Sequence, residues 1–396
     1  MRIIESYLYH IKSNKKEISK KLFEEITKGE TIEDLESIVN YLNKKEIKNY
    51  ELRNFNEARL FYRSAITILE LQREWDEIKK EMNVIYGISL SNRCYNTCDF
   101  CCAGASPNGR VMKYKKIENI KKEYLDFVKC IAFGGEGEPI YYKDGNKGLG
   151  DVIECFYDKG IKNFSILTGG IREKFLDNKF YLTQLFKIKE LFSKDPSIML
   201  DILITFHFHF KEYSISDLLM HYTGTFYLFT KIFNDNDNVK LGLKLLYHKN
   251  DDPYLFTPYL EEIAKMLNGK IIISSNNKIS GLLVNDKILL IKDYDYINYA
   301  ISKRDKKEKD KLERNGFCDG NLVYCPLIRD SGDAIVCPSI FGYDFLKPFA
   351  NIFEDDFLER YRGKRKEIRE YFENNFLDII KGRKPYFYCD NPYLNK

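Results

Sequence analysis

Val84-Ile85-Tyr86-Gly87-Ile88-Ser89-Leu90 and, three residues on, Cys94-Tyr95-Asn96-Thr97-Cys98-Asp99-Phe100-Cys101 form the stretch whose reading decides the fold. The first run is apolar and reads as a buried strand. The second places Cys94, Cys98 and Cys101 on the loop that leaves it, at the spacing C-x-x-x-C-x-x-C. Three thiolates on one loop can hold three irons of a four-iron, four-sulfur cluster and leave the fourth iron without a protein ligand. A cluster that only carries electrons is normally closed by four cysteines, so three suggest chemistry at the metal. The alternatives are a zinc site or scattered core thiols. Zinc wants four ligands, usually as two pairs. Cys102 is available as a fourth thiolate but is adjacent to Cys101.

A second strand-like run, Val128-Lys129-Cys130-Ile131-Ala132-Phe133, ends in Gly134-Gly135-Glu136, followed by Gly137-Glu138-Pro139. With the cysteine loop, this order of motifs resembles the radical S-adenosylmethionine (radical SAM) enzymes, over about residues 84–275. The resemblance implies a partial, six-stranded relative of the TIM barrel, an α/β fold whose chemistry sits at the C-terminal ends of its strands. It implies that the open iron binds the amine and carboxylate of S-adenosylmethionine, that an electron splits the cofactor, and that a 5′-deoxyadenosyl radical abstracts a hydrogen atom. Phe100 matches the aromatic position beside the adenine. Gly134, Gly135 and Glu136 match the element at the methionyl ammonium, bound either by the Glu136 carboxylate or by the strand-end backbone.

Strands are expected at 84–90, 128–134, 163–168, 199–209, 239–247 and 270–275, with helices between them such as Lys116–Phe127, Phe180–Phe192 and Pro258–Leu267. Such alternation points to a parallel α/β architecture. Along 199–209 side chains alternate faces, so Leu203, Thr205, His207 and His209 share one and Ile204, Phe206, Phe208 and Phe210 the other. The polar face should look inward, because a barrel holding a polar cofactor tolerates histidines that a packed one does not. Lys244, Leu246 and His248 share a face in the next strand, and Lys244 is placed to pair with the methionyl carboxylate. Thr168-Gly169-Gly170 ends the third strand, where glycines permit close approach. Each histidine also reads as ordinary hydrogen-bonded structure, and Asp201 and Glu138 are candidate proton acceptors. A hairpin is expected around Gly281–Lys292, turning at Asn285-Asp286.

The chain has 396 residues, 44% of them hydrophobic, and 63 basic against 59 acidic residues give a net charge of only +4. This balance does not argue for a nucleic-acid partner, and no basic–aromatic patch of the single-strand-binding kind is present. No run approaches the roughly 20 apolar residues of a membrane span, and no signal peptide is visible. A cytoplasmic location is therefore expected, where cysteines serve as metal ligands or catalytic groups more often than as disulfides. Cys130 and Cys155 read as small hydrophobes.

Residues 1–83 read as a helical N-terminal region, 84–302 as the core, and 303–396 as a C-terminal module after the charged run Lys303–Lys311. That module holds Cys318, Cys325, Cys337 and Cys389. It resembles SPASM and twitch extensions, which place a hairpin with a glycine turn, here Gly332, just before a cysteine ligand, here Cys337. Four thiolates close one auxiliary four-iron cluster, as in the shorter, twitch-like form; Cys325 alternatively reads as a free thiol that donates a hydrogen atom. The group implies a peptide or protein substrate modified as by a maturase, or instead a small molecule such as an aminocyclitol or sugar, and a reductant such as flavodoxin or ferredoxin. A redox iron–sulfur protein without cofactor cleavage is the competing class, and Gly134-Gly135-Glu136 argues against it.

Overall fold

Six strands lie side by side in the order in which the chain makes them. The computed structural model describes residues 84–101, 103–172, 175, 178–209, 214–246, 260–262, 265, 270–273, 279–283, 289–293, 326–335 and 348–380. Along the chain come β1 (Val84–Ile88), α1 (Tyr114–Glu118), β2 (Val128–Phe133), a two-stranded ribbon of β3 (Lys143–Asp144) and β4 (Lys147–Gly148), α2 (Leu149–Asp158), β5 (Asn163–Thr168) and α3 (Lys179–Lys194). They are followed by β6 (Met199–Phe206), α4 (Ile215–Phe233), β7 (Val239–Leu246), β8 (Lys270–Ile273), β9 (Ile279–Leu283), β10 (Leu289–Asp293), β11 (Leu327–Ile328), β12 (Asp333–Ile335), β13 (Ala350–Asn351) and α5 (Phe357–Ile380). The chain divides into two compact units, one of residues 82–312 and 324–357, the other of 1–81, 313–323 and 358–396. All the elements above belong to the first except α5 beyond Phe357.

Strands β1, β2, β5, β6, β7 and β10 are parallel neighbours in that order. Strand β11 joins the far side of β1 in parallel, and β12 and β13 extend the sheet antiparallel. The sheet is thus mixed α/β and dominated by parallel pairs.

One face is covered by helices, and aromatic residues on successive strands make the contact. Phe133 on β2 meets Phe156 of α2 at 6.2 Å, and Phe164 on β5 meets Phe192 of α3 at 6.1 Å. Phe206 on β6 stacks on Tyr222 of α4 at 3.8 Å. The helices start where their caps allow. Ser214 and Asp217 form a reciprocal capping box before α4, and the Asn178 side chain accepts from Phe180 N and Tyr181 N before α3. The opposite face is less filled. In register across it run Gly87, Ala132, Ser165 and Asp201, then Gly134 with Leu167 and Leu203 nearer the C-terminal ends. A packed barrel interior carries bulky branched side chains in such layers; small ones here leave space, and Leu167 is 38% exposed.

All six expected strands are found within three residues of their predicted ends, but the sixth differs in its pairing. Residues 270–273 do not continue the parallel order but pair antiparallel with β9. The hairpin expected around 281–292 is likewise absent as such. Its two arms are strands, but β9 pairs with β8 and β10 with β7. Ser274-Ser275-Asn276-Asn277-Lys278 is a run of turn-forming residues that makes β8–β9 the more local pair, while the continuous apolar run Leu289-Leu290-Ile291 suits a parallel strand. The helix expected over 116–127 is shortened to α1 and a 3₁₀ turn, Lys122–Tyr124. Residues 1–83, the helical region expected there included, lie outside the described residues. Among the described residues no helix is long and apolar enough to cross a membrane.

Phe164 is fully buried between Phe133, at 6.4 Å, and Phe192. Replacing it with alanine should destabilise this unit by about 3–5 kcal/mol in urea unfolding; a loss below about 1 kcal/mol would show that the aromatic row does not carry the helix–sheet contact.

Candidate active site

Parallel pairing brings the loops after β1, β2, β5 and β6 to one edge of the sheet, and there they interlock. The loop after β1 closes on itself: Cys94 N donates to Ser106 O at 3.0 Å, Ser106 N to Asn92 O at 3.2 Å, and Asn92 N to Arg110 O at 2.9 Å. The segment after β2 passes so close that only glycine fits at 137, where a Cβ would lie 2.3 Å from Ser91 O. Glu138 N then donates to Arg93 O at 2.9 Å.

The three thiols sit in this fold-back. Cys101 N donates to Cys98 O, and Asn96 N lies 3.3 Å from Cys94 Sγ as a donor. Burial pushes the Cys94 thiol far up, and Glu138 and Cys101 add to the rise. Burial likewise raises Cys98, followed by Cys94 and Cys101. The three sulfurs are therefore close enough to repel one another as thiolates. Among the described residues no group of three or more His, Cys, Asp or Glu converges to hold a single metal ion.

His207, at the end of β6, reaches the same loop. Its Nε2 is 3.3 Å from Cys98 Sγ, and its Nδ1 accepts from His209 N at 3.3 Å. A neutral ring that accepts at Nδ1 carries its proton on Nε2, so the tautomer assigned is an N–H donor toward Cys98. Burial, then His209 and His221, hold this ring well below the usual histidine range, in its neutral form. Tyr222 OH fixes the backbone here, accepting from His207 N and donating to His207 O, both at 2.9 Å. Phe100 is buried, with its ring edge-on to His207 at 4.8 Å.

Glu138 joins the remaining pieces. It is 3% exposed, and its carboxylate accepts from Thr168 Oγ1 at 2.7 Å, Gly169 N at 2.7 Å and Ile140 N at 3.3 Å. Burial raises its ionisation from the usual 4.5 to about 7, against those three hydrogen bonds, which lower it. The Thr168–Arg172 backbone is held along its length. Gly170 N donates to Thr168 Oγ1, Ile171 N to Thr225 Oγ1 and Arg172 N to Tyr141 OH. Asn96 Nδ2 donates to Gly170 O at 3.1 Å, and His221 Nε2 to Gly169 O at 2.8 Å. Gly170 has φ +90°, and a Cβ there would lie 2.9 Å from His221 Nε2. Burial first, opposed by the Gly169 bond, lowers His221 to about 4.

Glu136 is 2% exposed; its amide donates to Ser89 Oγ at 3.1 Å, and its Oε1 accepts from Arg329 Nε at 2.8 Å and from Arg329 Nη2. Its Oε2 has no partner among the described residues. Gly134 and Gly135 precede it at the end of β2, Gly135 with the Leu327 side chain against it. Thr205 and Lys244 are register neighbours on β6 and β7, both half-buried. Thr168 lies a strand away from Thr205, buried against Glu138. The structure thus brings Cys94, Cys98, Cys101, Phe100 and His207 together, and joins them through Asn96 and Glu138 to Thr168. Asp201 is exposed and has Lys240 as register neighbour. Cys102, His248 and the four C-terminal cysteines, Cys318, Cys325, Cys337 and Cys389, lie outside the described residues. The hairpin expected around Gly332 is present as β11 and β12, with Gly332 at φ +94° and Gly332 N on Arg329 O.

Asn96, His221, Thr225 and Arg329, and the bonded role of Glu138, were not legible as site features. Arg329 lies 193 residues from its partner Glu136, and a helix histidine such as His221 carries no motif.

No family model matches the sequence. A 7,8-dihydro-6-hydroxymethylpterin dimethyltransferase of Methanocaldococcus jannaschii is 30% identical over 112 residues, which are 27% of this chain and 20% of that enzyme. The chain therefore matches about a fifth of the length of that relative. Among solved structures, SuiB of Streptococcus suis bound to S-adenosylmethionine superposes with a TM-score of 0.43 at 15% identity, over 92% of this chain and 88% of SuiB. Native anSMEcpe with bound AdoMet gives 0.33 at 17% identity, over 72% and 82%. Neither score reaches the level at which two chains share one fold.

The raised Glu138 gives the metal-free protein a defined pH response. A carboxyl that ionises near 7 when folded and near 4.5 when unfolded stabilises fully below 4.5, and that contribution is lost as pH rises to about 7. The unfolding free energy of wild type relative to Glu138→Gln should fall by on the order of 3 kcal/mol across that window. A difference independent of pH would mean that Glu138 is not buried as described.

Proposed function

We propose that this chain is a radical SAM enzyme, which reductively cleaves S-adenosylmethionine to a 5′-deoxyadenosyl radical and abstracts a hydrogen atom from its substrate. The observation that carries the reading is the set of three thiols on one loop, Cys94 and Cys98 with ionisation pushed up by burial, interlocked with the strand ends that bear Glu136 and Thr168. The residues present fit an iron–sulfur cluster. Buried thiols that repel one another as thiolates are relieved when a cation displaces their protons. Thiolates shared among several irons need not converge on one point. The unpartnered Glu136 Oε2 suits a ligand ammonium.

When bound, a cluster with one open iron supplies the electron and the coordination site for cofactor cleavage. The chain's own contributions are positional. Cys94, Cys98 and Cys101 hold the metal. His207 orients Cys98 through its Nε2–H, a hydrogen bond of the kind that tunes a metal ligand. Phe100 offers a ring edge beside the site. Lys244 and Thr205, on the side of the sheet that helices leave open, are set to meet the polar ends of a ligand.

The substrate reading is a peptide or protein modified as by a maturase, with a flavodoxin- or ferredoxin-like reductant and a second cluster on Cys318, Cys325, Cys337 and Cys389 of a twitch-like module. Supporting it is the β11–β12 hairpin, which ends at Ile335, two residues before Cys337. A small-molecule substrate is the second reading. The 112-residue match to an enzyme named for a pterin favours it.

Anaerobically reconstituted protein given dithionite and S-adenosylmethionine should yield 5′-deoxyadenosine, and Cys98→Ala should lower the yield at least about a hundredfold. Absence of the nucleoside from wild type would leave a redox protein in place of the enzyme. Iron analysis should find roughly eight irons per chain, falling to about four in Cys318→Ala; about four in both would remove the second cluster.

A further inference from the structure

Arg329 and Asp330 stand at the turn between β11 and β12 and bond to the two halves of the site. Arg329 donates through Nε at 2.8 Å, and through Nη2, to Glu136 Oε1. Asp330, 7% exposed, accepts from Arg110 Nε at 2.9 Å and Nη2 at 3.4 Å. Arg110 in turn belongs to the cysteine loop, where its carbonyl accepts from Asn92 N. The hairpin is also fixed to the first strand: Gly87 N donates to Pro326 O at 3.0 Å, and Ser89 N to Ile328 O at 2.8 Å. The Leu327 side chain lies against both Gly87 and Gly135.

Glu136 depends on this arrangement. A carboxylate taken out of water is costly unless it is paired and hydrogen-bonded. Arg329 satisfies one oxygen, and among the described residues the other has no partner. Both guanidinium donors meet the same oxygen, so the ion pair anchors the carboxylate at Oε1 and leaves Oε2 for a ligand. We propose that Arg329 is a positioning residue: it holds Glu136 so that Oε2 accepts the ammonium of S-adenosylmethionine, and it makes the β11–β12 hairpin part of the cofactor site. The proposal rests on the radical SAM reading above.

The test uses the full chain, anaerobically reconstituted, with S-adenosylmethionine as the probe in equilibrium dialysis. Arg329→Gln should weaken binding by roughly ten- to a hundredfold, while kcat at saturating cofactor stays within about threefold of wild type. Arg329→Lys keeps the charge and should recover part of the affinity. In the metal-free chain, Arg329→Gln should also speed hydrogen exchange at the Glu136 and Gly137 amides. An Arg329→Gln affinity within about twofold of wild type, or losses of affinity and kcat in equal measure that Arg329→Lys does not relieve, overturns the proposal. Should Arg329→Gln not fold, the Arg329→Lys affinity and kcat decide by the same criterion. Wild-type protein that neither binds nor cleaves S-adenosylmethionine overturns the enzyme reading itself, and the proposal with it; binding and cleavage by wild type with an indifferent Arg329→Gln overturns the proposal alone.

Discussion

One buried carboxylate sets the geometry of this site. Glu138 follows β2, bonds through its amide to the cysteine loop after β1, and spends its oxygens on Thr168 and Gly169 at the end of β5. Pulling any of the three strand ends away would strand a polar group in the interior, at about 1–3 kcal/mol for each unmade bond. The thiols are therefore held by the sheet and not by their loop alone. Parallel pairing makes this possible, because it delivers successive strand ends to one edge.

The edge of the sheet next to β1 shows a related economy. A parallel strand with an open side would present unpaired amides and invite association. Strand β11 occupies that side, and its hairpin carries the charged residues that meet Glu136 and Arg110. Covering an edge and buttressing a site are here the same contact. The ion pairs differ in weight. Arg110 is largely exposed and screened, whereas Glu136 has almost no access to water.

The central strands were legible because apolar runs of five to eight residues alternated with helical patterns, and because a continuous run such as Ile202–Phe206 leaves little choice of state. The cysteine loop and the glycine-rich end of β2 were legible from spacing. The sixth parallel strand was misplaced since 270–273 and 289–293 are equally apolar, and register is decided by partners that no local pattern reveals. Along β6 the alternation holds as far as Phe206: Ile204 and Phe206 are buried, the latter stacked on Tyr222 of α4, while Leu203 and Thr205 are half-buried; the strand ends before His207, which is buried beside Cys98. Bonds such as His221 to Gly169 and Arg329 to Glu136 were invisible, being tertiary contacts between residues that look unremarkable in sequence.

The loop after β5 carries a last implication. Four consecutive amides, from Gly169 to Arg172, already donate to groups of the protein itself. Strand-end loops of α/β proteins commonly lend such amides to anions; these four are already engaged within the protein. Along Gly169–Arg172 the backbone is therefore spent on the protein's own frame, and the polar character of this segment rests on side chains such as that of Arg172, whose charge is felt at Cys94 and His221.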